Sequence, residues 1–383
     1  MTKFKFEAIQ LYLASNINIT VSFFKNIFKK KEPSIISYET FWDWFKQHEN
    51  TFYKVVKEQG NIEKVFFDKL SVKLNELREG YSYLTGMLNE ETVELVFTAD
   101  GAIENIVFVE ELVSSAPQID NWFFTALKPA LSINDVSIKM NNYMFTKSNI
   151  SFYADEDANF PDEIDITIVH DDLDETNRET IVNGSYIFLD NFLGELNFAT
   201  TIDNISFVDK NKATADLIPI EKLKDFLIWR QKEFVEKYDS LNRNTQEDNY
   251  SLLEGTLVNG NKLLAAINTS LLQWDSKASH PWVATIEIKY DGTATNGMPD
   301  SKTSVLLNDI EDEILIDLED VKGYLNIGRQ TSKNVREIHF ACKEFRLPSK
   351  IFHKIKQKYS PQLDINYRIY KDKYWQSFNQ FIN

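Results

Sequence analysis

The sequence predicts an α+β protein with a ferredoxin-like unit at its C-terminal end. Apolar residues recur at helical spacing before residue 80 and alternate with polar residues in several short segments after it. From residue 282 the predicted elements follow the order β-α-β-β-α-β, which is the arrangement of a split β-α-β fold. A chain of 383 residues is also long enough to form more than one hydrophobic core, so two or three domains are expected.

Two helices are predicted first, after an N-terminal extension over residues 1–33. Residues 38–59 and 62–79 carry aromatic and aliphatic side chains at helical spacing, and a glycine follows each segment as a stop signal. They predict a helical hairpin over residues 34–80. The extension places a lysine cluster behind apolar residues, a pattern that suits either a packed helix or contact with a membrane surface.

Residues 81–240 are predicted to form an α+β domain that ends in a long helix. The predicted strands cover residues 92–98, 122–127, 136–145, 149–153, 164–169 and 198–208, and the predicted helices cover 106–115, 175–194 and 219–238. Pro219 suits the start of the last helix, where its missing N–H is not needed. The polar run 239–249 then predicts a domain boundary.

Residues 250–383 are predicted to form the ferredoxin-like domain, preceded by a β-hairpin. The hairpin strands flank Asn259-Gly260, a dipeptide that suits a tight turn because both residues tolerate positive φ. The elements that follow are predicted at residues 282–290, 300–318, 323–329, 335–342, 348–359 and 363–369. The four strands are expected to bury one apolar layer beneath both helices, formed by Ile286, Ile327, Ile338 and Ile365.

The charge of the chain is acidic and unevenly distributed, with a formal net charge of -16. Residues 1–248 hold 25 Lys and Arg against 42 Asp and Glu, a net charge of -17, whereas residues 249–383 hold 17 against 16, a net charge of +1. Because nucleic-acid backbones are anionic, nucleic-acid binding is not expected.

Cys342 is the single cysteine, so no intramolecular disulfide can form, and a reducing, cytoplasmic location is predicted. No apolar stretch approaches the length of a membrane-spanning helix. A soluble protein without an integral membrane segment is therefore expected.

No group of residues in the sequence requires catalysis. Phosphate-binding loops, nucleophile elbows, paired-His zinc motifs and Cys pairs are absent from the sequence. His170 and the acids that follow it stand where a predicted strand gives way to a helix, and acids at a helix start usually cap its free N–H groups. We therefore predict no catalytic residue, no metal and no cofactor.

Arg329 and Arg336 form the most informative pair of charged residues. If Ile327 faces Ile338 across the two predicted strands, the arginines meet on one sheet face. Like charges at such a position need a compensating acid, and a guanidinium group suits a carboxylate or phosphate. The acid can come from residues 300–320, which hold eight acids and one lysine, or from a ligand or partner.

His280 and Trp375 are two further candidates for binding. His280 precedes Pro281, but no nucleophile or oxyanion donor is spaced to serve it as a general base. Trp375 stands among aromatic and basic residues, which suit either a partner surface or the cover of the sheet core.

Short motifs spread along the C-terminal part are shared with a known family. They are Trp282 at a strand start, Asn296-Gly-Met-Pro299 before the acidic helix, Gly328-Arg329 with Thr331, Arg336-Glu337, and the closing segment at Trp375. In these motifs the chain resembles a bacterial family, the domain of unknown function 695, and its layout is similar to that of the regulator of ribonuclease E activity B. The resemblance implies a ferredoxin-like domain with a binding or regulatory role and includes Thr331 among the candidate site residues.

Two functional hypotheses follow from the sequence. The leading one is a non-catalytic protein-binding or regulatory module that engages a protein partner near Arg329 and Arg336. The alternative is an enzyme or receptor for a small anionic ligand, with the same arginines as a clamp and His280 or His339 as acid or base. A pocket where these side chains converge would favour the alternative, and arginines paired with the acidic helix would favour the first hypothesis.

Overall fold

The computed structural model describes residues 35–257 and 260–382. Helices and mixed sheets both build the protein, so the predicted α+β class is confirmed. The predicted extension over residues 1–33, and Asn259 of the predicted turn, lie outside the described residues. In the part of the chain that is described, no helix combines the length and the apolar character that a membrane span requires.

The N-terminal unit, residues 35–127, combines three α-helices and one π-helical segment (Glu63–Phe67) with a three-stranded sheet. Its elements are α1 (Tyr38–Lys57), α2 (Asp68–Leu77), β1 (Ser82–Met87), β2 (Val93–Thr98), α3 (Ile103–Ser114) and β3 (Trp122–Ala126). Ser37 caps α1, because its hydroxyl accepts from the N–H of Thr40 while the Thr40 hydroxyl accepts from the N–H of Ser37. The structure adds β1, which the sequence pattern did not predict and which pairs antiparallel with β2.

The middle unit, residues 128–238, packs helices on a four-stranded sheet. Its elements are β4 (Ile138–Met140), β5 (Tyr143–Phe145), β6 (Ile150–Asp155), β7 (Asp165–His170), α4 (Arg178–Leu193), α5 (Glu195–Thr201), β8 (Asn204–Val208), β9 (Ile218–Pro219) and α6 (Leu223–Tyr238). The strand order is β8-β7-β6-β9, and β4 and β5 form a separate hairpin. The strand predicted over residues 198–208 is wrong before Asn204, because Gly194, with φ at +80°, ends α4 and α5 begins immediately after it.

The C-terminal unit, residues 250–382, is built on one antiparallel sheet. Its elements are β10 (Tyr250–Thr256), β11 (Lys262–Asn268), α7 (Thr269–Leu272), β12 (Trp282–Lys289), α8 (Ser301–Asp317), β13 (Tyr324–Ser332), β14 (Val335–Cys342), α9 (Arg346–Tyr359) and β15 (Asp364–Lys371). The order in the 6-stranded sheet is β10-β11-β13-β14-β12-β15. The hairpin joins the sheet through β11 and β13, so the sheet is wider than the predicted four strands. The ferredoxin-like assignment itself stays a prediction.

Three hydrophobic clusters hold these elements together. The first joins the N-terminal unit to the helix-covered face of the C-terminal sheet, the second fills the middle unit, and the third lies on the opposite face of the C-terminal sheet. Ile286, Ile338 and Ile365 share the first cluster, as predicted. Ile327 lies in the third cluster, so the expected layer is wrong at this residue.

Glu195 connects the N-terminal and middle units from a buried position. Glu195 is 1 % exposed and lies at the start of α5. One carboxylate oxygen accepts from the Thr98 hydroxyl at 2.6 Å and from the Lys128 N–H at 3.1 Å, and the other accepts from the Gly101 N–H at 3.2 Å. Three donors from two units therefore depend on one carboxylate.

Replacing Glu195 by glutamine is expected to lower the free energy of unfolding by about 2 kcal/mol, because a neutral amide offers one acceptor oxygen and turns an NH₂ group toward these donors. Urea denaturation of the full chain measures the change. Glu90→Gln, at an exposed position, is the matched control and is expected to stay within about 0.5 kcal/mol of the unaltered protein. Equal stability of the two variants would contradict the assigned role of Glu195.

Candidate functional site

Arg329 on β13 and Arg336 on β14 lie on the helix-covered face of the C-terminal sheet. In the observed register Arg329 is opposite Ile338, and Arg336 is opposite Thr331. The predicted pairing of Ile327 with Ile338, and with it the direct pairing of the two arginines, is therefore wrong. The arginines are diagonal neighbours on adjacent strands, a position from which long side chains still reach each other.

A β-bulge between Asn326 and Gly328 sets this register. Gly328 has φ at +134°, a backbone conformation that residues with a Cβ rarely adopt. The inserted residue turns Ile327 to the opposite face of the sheet and leaves Arg329 facing α8. The alternation of apolar and polar residues does not reveal such an insertion, which is why the predicted register failed.

Both arginines bond to side chains of α8. Arg329 Nη1 donates to Glu311 Oε2 at 2.6 Å, and Arg336 Nη1 donates to Asn308 Oδ1 at 2.8 Å. Arg336 Nε also donates to the Thr331 hydroxyl at 3.2 Å. Asn308 and Glu311 are three positions apart and so lie on one side of the helix. We call these five residues the arginine cluster.

The arginine cluster holds two positive charges and one negative charge. Arg336 is 7 % exposed and bonds to an amide and a hydroxyl, both neutral. Burial, together with the charge of Arg329, lowers the pKa of Arg336. Within residues 35–257 and 260–382, Glu311 is the carboxylate that bonds to either guanidinium group. The cluster therefore keeps one net positive charge, and Arg329, whose side chain is 37 % exposed, is the guanidinium group that solvent reaches.

The strands β10 and β11 extend the sheet beyond α8 and leave apolar side chains uncovered. Leu252, at the middle of the edge strand β10, is 80 % exposed, and Tyr250 is 50 % exposed. Leu252 is paired with Ala266 on β11, which is in turn paired with Arg329 on β13. Adjacent strands are about 4.8 Å apart, so this row leads from the edge of the sheet to the arginine cluster. We call Tyr250, Leu252, Leu264 and Ala266 the hairpin face.

Sequence inspection missed the hairpin face. The alternation in β10 shows that Leu252 and Leu253 point to opposite sides, but it does not show which side the rest of the chain covers. In the structure the side of Leu253 packs on the third hydrophobic cluster, and the side of Leu252 faces solvent.

His280 and Trp375 lie together on the opposite side of the sheet. Trp375 Nε1 donates to the His280 carbonyl oxygen at 2.9 Å, and the two residues are 1 % and 0 % exposed. His339 is also buried on that side, with its ring 5.1 Å from that of Phe378. The sheet separates these residues from the arginines. We therefore assign His280 and Trp375 to the core of the C-terminal unit, although both were expected at a binding site. Of the three further residues that the sequence suggested, Thr331 is the one that lies beside the two arginines.

The acids that follow His170 are engaged in local bonds. Asp174 accepts from the N–H groups of Thr176 and Asn177 at the start of α4, and Asp171 pairs with Lys210 at 2.7 Å. The imidazole of His170 bonds to the Met144 carbonyl oxygen at 2.9 Å. In the described part of the chain, no three His, Cys, Asp or Glu side chains are grouped so that they could hold a metal ion.

Comparison with known proteins finds a family match in the C-terminal unit. Residues 255–383 match a family of unknown function, DUF695, which confirms the resemblance of the C-terminal part. The similarity in layout to the regulator of ribonuclease E activity B stays a prediction. No curated protein and no solved structure matches the chain.

Proposed function

We propose that the C-terminal unit is a non-catalytic protein-binding module whose hairpin face takes an amphipathic helix of a partner protein. The observation that supports this function is the exposure of Leu252, 80 %, at the middle of an edge strand next to the arginine cluster. A leucine on a bare sheet surface keeps apolar area in contact with water, and a partner that covers this area gains the free energy of its burial.

The layer of described helices on the C-terminal sheet does not extend over the hairpin face, which favours a helix as the part of the partner that binds there. The helices α8 and α9 cover the strands β12 to β15 and share the first hydrophobic cluster with them. No described helix covers the hairpin face, where Leu252 and Tyr250 are exposed on the same side as α8. A third helix beside α8 would complete the layer that a sheet of this kind normally carries.

The charge of the arginine cluster predicts an acidic residue on the partner helix. Glu311 balances one of the two guanidinium groups, so the cluster keeps one net positive charge, and Arg329 is the guanidinium group that a partner can reach. A partner carboxylate that reaches Arg329 forms a charge-assisted hydrogen bond, which is stronger than a bond between neutral groups. The expected partner helix therefore carries an apolar stripe for Leu252 and Leu264, with an Asp or Glu at its border.

The alternative function, an enzyme or receptor for a small anionic ligand, has weaker support. Arg329 and Arg336 both bond to α8, so each already has a partner inside the unit itself. The two histidines considered as acid or base are buried on the other side of the sheet. A partner protein that brings one carboxylate to Arg329 requires no change in the hydrogen bonds of the arginine cluster.

Photocrosslinking from Leu252 tests the proposal. A photoreactive amino acid at position 252 of the full chain is expected to capture one partner, and mass spectrometry is expected to place the crosslink in an amphipathic helix that bears an acid. The control is the same amino acid at Val72, which is 55 % exposed on α2 in the N-terminal unit. A crosslink to a second copy of this chain, or the same product from Val72, would contradict the proposal.

Two variants then measure the affinity for the captured helix. Leu252→Asp is expected to weaken binding at least about tenfold, because it places a charge in the apolar contact, while Val72→Asp leaves binding unchanged. The pair Arg329→Gln with Glu311→Gln can keep the hydrogen bond between the two side chains and removes both charges. It is expected to weaken binding about tenfold. Unchanged affinity in both variants would remove the hairpin face from the function.

A further inference from the structure

An open groove lies in the middle unit, between α6 and the end of α4 with α5. The groove has a volume of about 650 Å³, which is in the range of small-molecule sites. Leu193 and Leu227 form its buried wall, and Ile228 and Val235 line it from exposed positions on α6. The groove therefore has apolar surface on both sides.

The apolar wall on α6 is formed by Leu227, Ile228 and Val235, and Gln231 and Lys232 line the groove between Ile228 and Val235. Ile228 is 67 % exposed and Val235 is 47 % exposed, although both are aliphatic. From Lys224 to Val235 the helix rises about 16 Å, because each residue adds about 1.5 Å. A groove of this shape suits a linear chain better than a compact ring system.

Lys224 supplies the polar end of the groove. Its ammonium group donates to the Leu131 carbonyl oxygen at 3.1 Å and lies 4.5 Å from the centre of the Phe192 ring. Burial lowers its pKa, and no carboxylate of the described residues is near enough to oppose this effect. Lys232, the other lysine on the groove, already has Glu236 at 3.6 Å. Of the two lysines on the groove, Lys224 is thus the one that an anionic ligand would bind more strongly.

We propose that this groove binds a free, single-chain amphiphilic carboxylate of the fatty-acid class. The hydrocarbon chain lies along Leu227, Ile228 and Val235, and the carboxylate pairs with the Lys224 ammonium group. The volume, the length of the groove along α6 and the single unpaired cation at one end match one linear chain with one anionic head. This site is separate from the hairpin face and independent of the proposed protein binding.

Calorimetric titration of the full chain with dodecanoate, below its micelle concentration, tests the site. Binding at a ratio of one is expected, and affinity is expected to rise about fourfold for each methylene added from octanoate to dodecanoate. Lys224→Gln is expected to weaken dodecanoate binding at least about tenfold and to leave dodecanol binding unchanged. Retained dodecanol binding shows that the variant is folded with an intact groove. Lys222→Gln, an exposed lysine outside the groove, is the matched control.

Ile228→Asp tests the apolar wall. It is expected to abolish dodecanoate binding without a change in thermal unfolding, because Ile228 is exposed, and Ile316→Asp, at a 72 % exposed position on α8, should leave binding intact. Failure of the unaltered protein to bind dodecanoate, or equal loss in both aspartate variants, would overturn the proposal. Anionic phospholipid vesicles are not expected to sediment the protein. If the vesicles did sediment the protein, if Ile228→Asp abolished this sedimentation, and if free dodecanoate did not bind, the groove would be a membrane-binding surface. This result would overturn the proposal as well.

Discussion

Replacing Gly328 by alanine is expected to lower the free energy of unfolding by about 4 kcal/mol. Gly328 adopts φ at +134°, which costs a residue with a side chain about 1–3 kcal/mol. A Cβ at this position would also lie 2.2 Å from the Ala266 carbonyl oxygen and 2.9 Å from the Ile267 Cα. Both are backbone atoms of the neighbouring strand, so relief requires that β11 and β13 separate, at a further cost of about 1–3 kcal/mol.

Gly255→Ala is the matched control for this prediction. Gly255 also lies in a strand of the same sheet, but a Cβ there would meet no atom within 4 Å. Its stability is expected to stay within about 0.5 kcal/mol of the unaltered protein. Urea denaturation of both variants measures the difference, and hydrogen exchange of β11 amides shows whether the hairpin has separated. If Gly328→Ala were as stable as Gly255→Ala, the bulge would not hold the hairpin to the sheet.

The local elements of the C-terminal unit could be predicted from the sequence because each has a local cause. Asp300 accepts from the N–H of Thr303 and so marks the start of α8, as expected for an N-cap. Strand β15 alternates between exposed polar and buried apolar residues, whereas β12 is buried on both sides because Val283 packs in the third hydrophobic cluster. These signals act within a few residues of one another, and the predicted strand and helix positions from residue 282 onward agree with the structure.

The register and the candidate site could not be predicted because their causes are not local. The bulge before Gly328 depends on how β11 meets β13, and one inserted residue is enough to exchange the faces of the sheet. The sequence did indicate that the acids of residues 300–320 could balance the arginines, but not that Glu311 would bond to one of them and Asn308 to the other. The exposure of Leu252 depends on which strands α8 covers, and this is a property of the whole unit.

A decrease in pH from 7 to 5 is expected to lower the free energy of unfolding by about 2 kcal/mol through each of two buried histidines, about 4 kcal/mol from this pair. Burial, with a smaller contribution from Lys343, lowers the pKa of His280 to about 3. Burial, with a smaller contribution from Arg368, lowers the pKa of His339 to about 3. These two residues are 0 % and 5 % exposed, so little solvent is available to stabilise their charged forms.

The hydrogen bonds of the two rings leave the protonated forms without an additional partner in the folded protein. His280 Nδ1 bonds to the Ser279 hydroxyl at 2.8 Å, and His339 Nδ1 bonds to the Thr285 hydroxyl at 3.0 Å. The Nε2 atoms of both rings have no hydrogen-bond partner among the described residues. Protonation would therefore place a charge and an additional N–H group in an apolar core, against Trp274 in one case and Phe378 in the other.

The direction of the effect follows from the two pKa values of each histidine. In the unfolded chain the pKa is about 6.5, and in the folded protein it is near 3, so between these values the unfolded chain binds more protons. The stability is complete above pH 6.5 and decreases as the pH falls toward 3. Most carboxylates of an unfolded chain titrate below pH 5, so the histidines dominate between pH 7 and 5. His353, with a pKa lowered to about 4, adds to the decrease.

Denaturant unfolding at pH 7 and pH 5 of the unaltered protein and of His339→Gln separates this cause from others. Glutamine does not titrate and can still bond to Thr285, so the variant is expected to lose about 2 kcal/mol less than the unaltered protein over the same pH interval. Val72→Ala is the control, because Val72 is an exposed residue of α2 that does not titrate, and its replacement should leave the pH dependence as it is. If His339→Gln had the pH dependence of the unaltered protein, the buried imidazole would have to be protonated in the folded state. The third hydrophobic cluster would then contain a charged group for which the structure shows no compensating contact among the described residues.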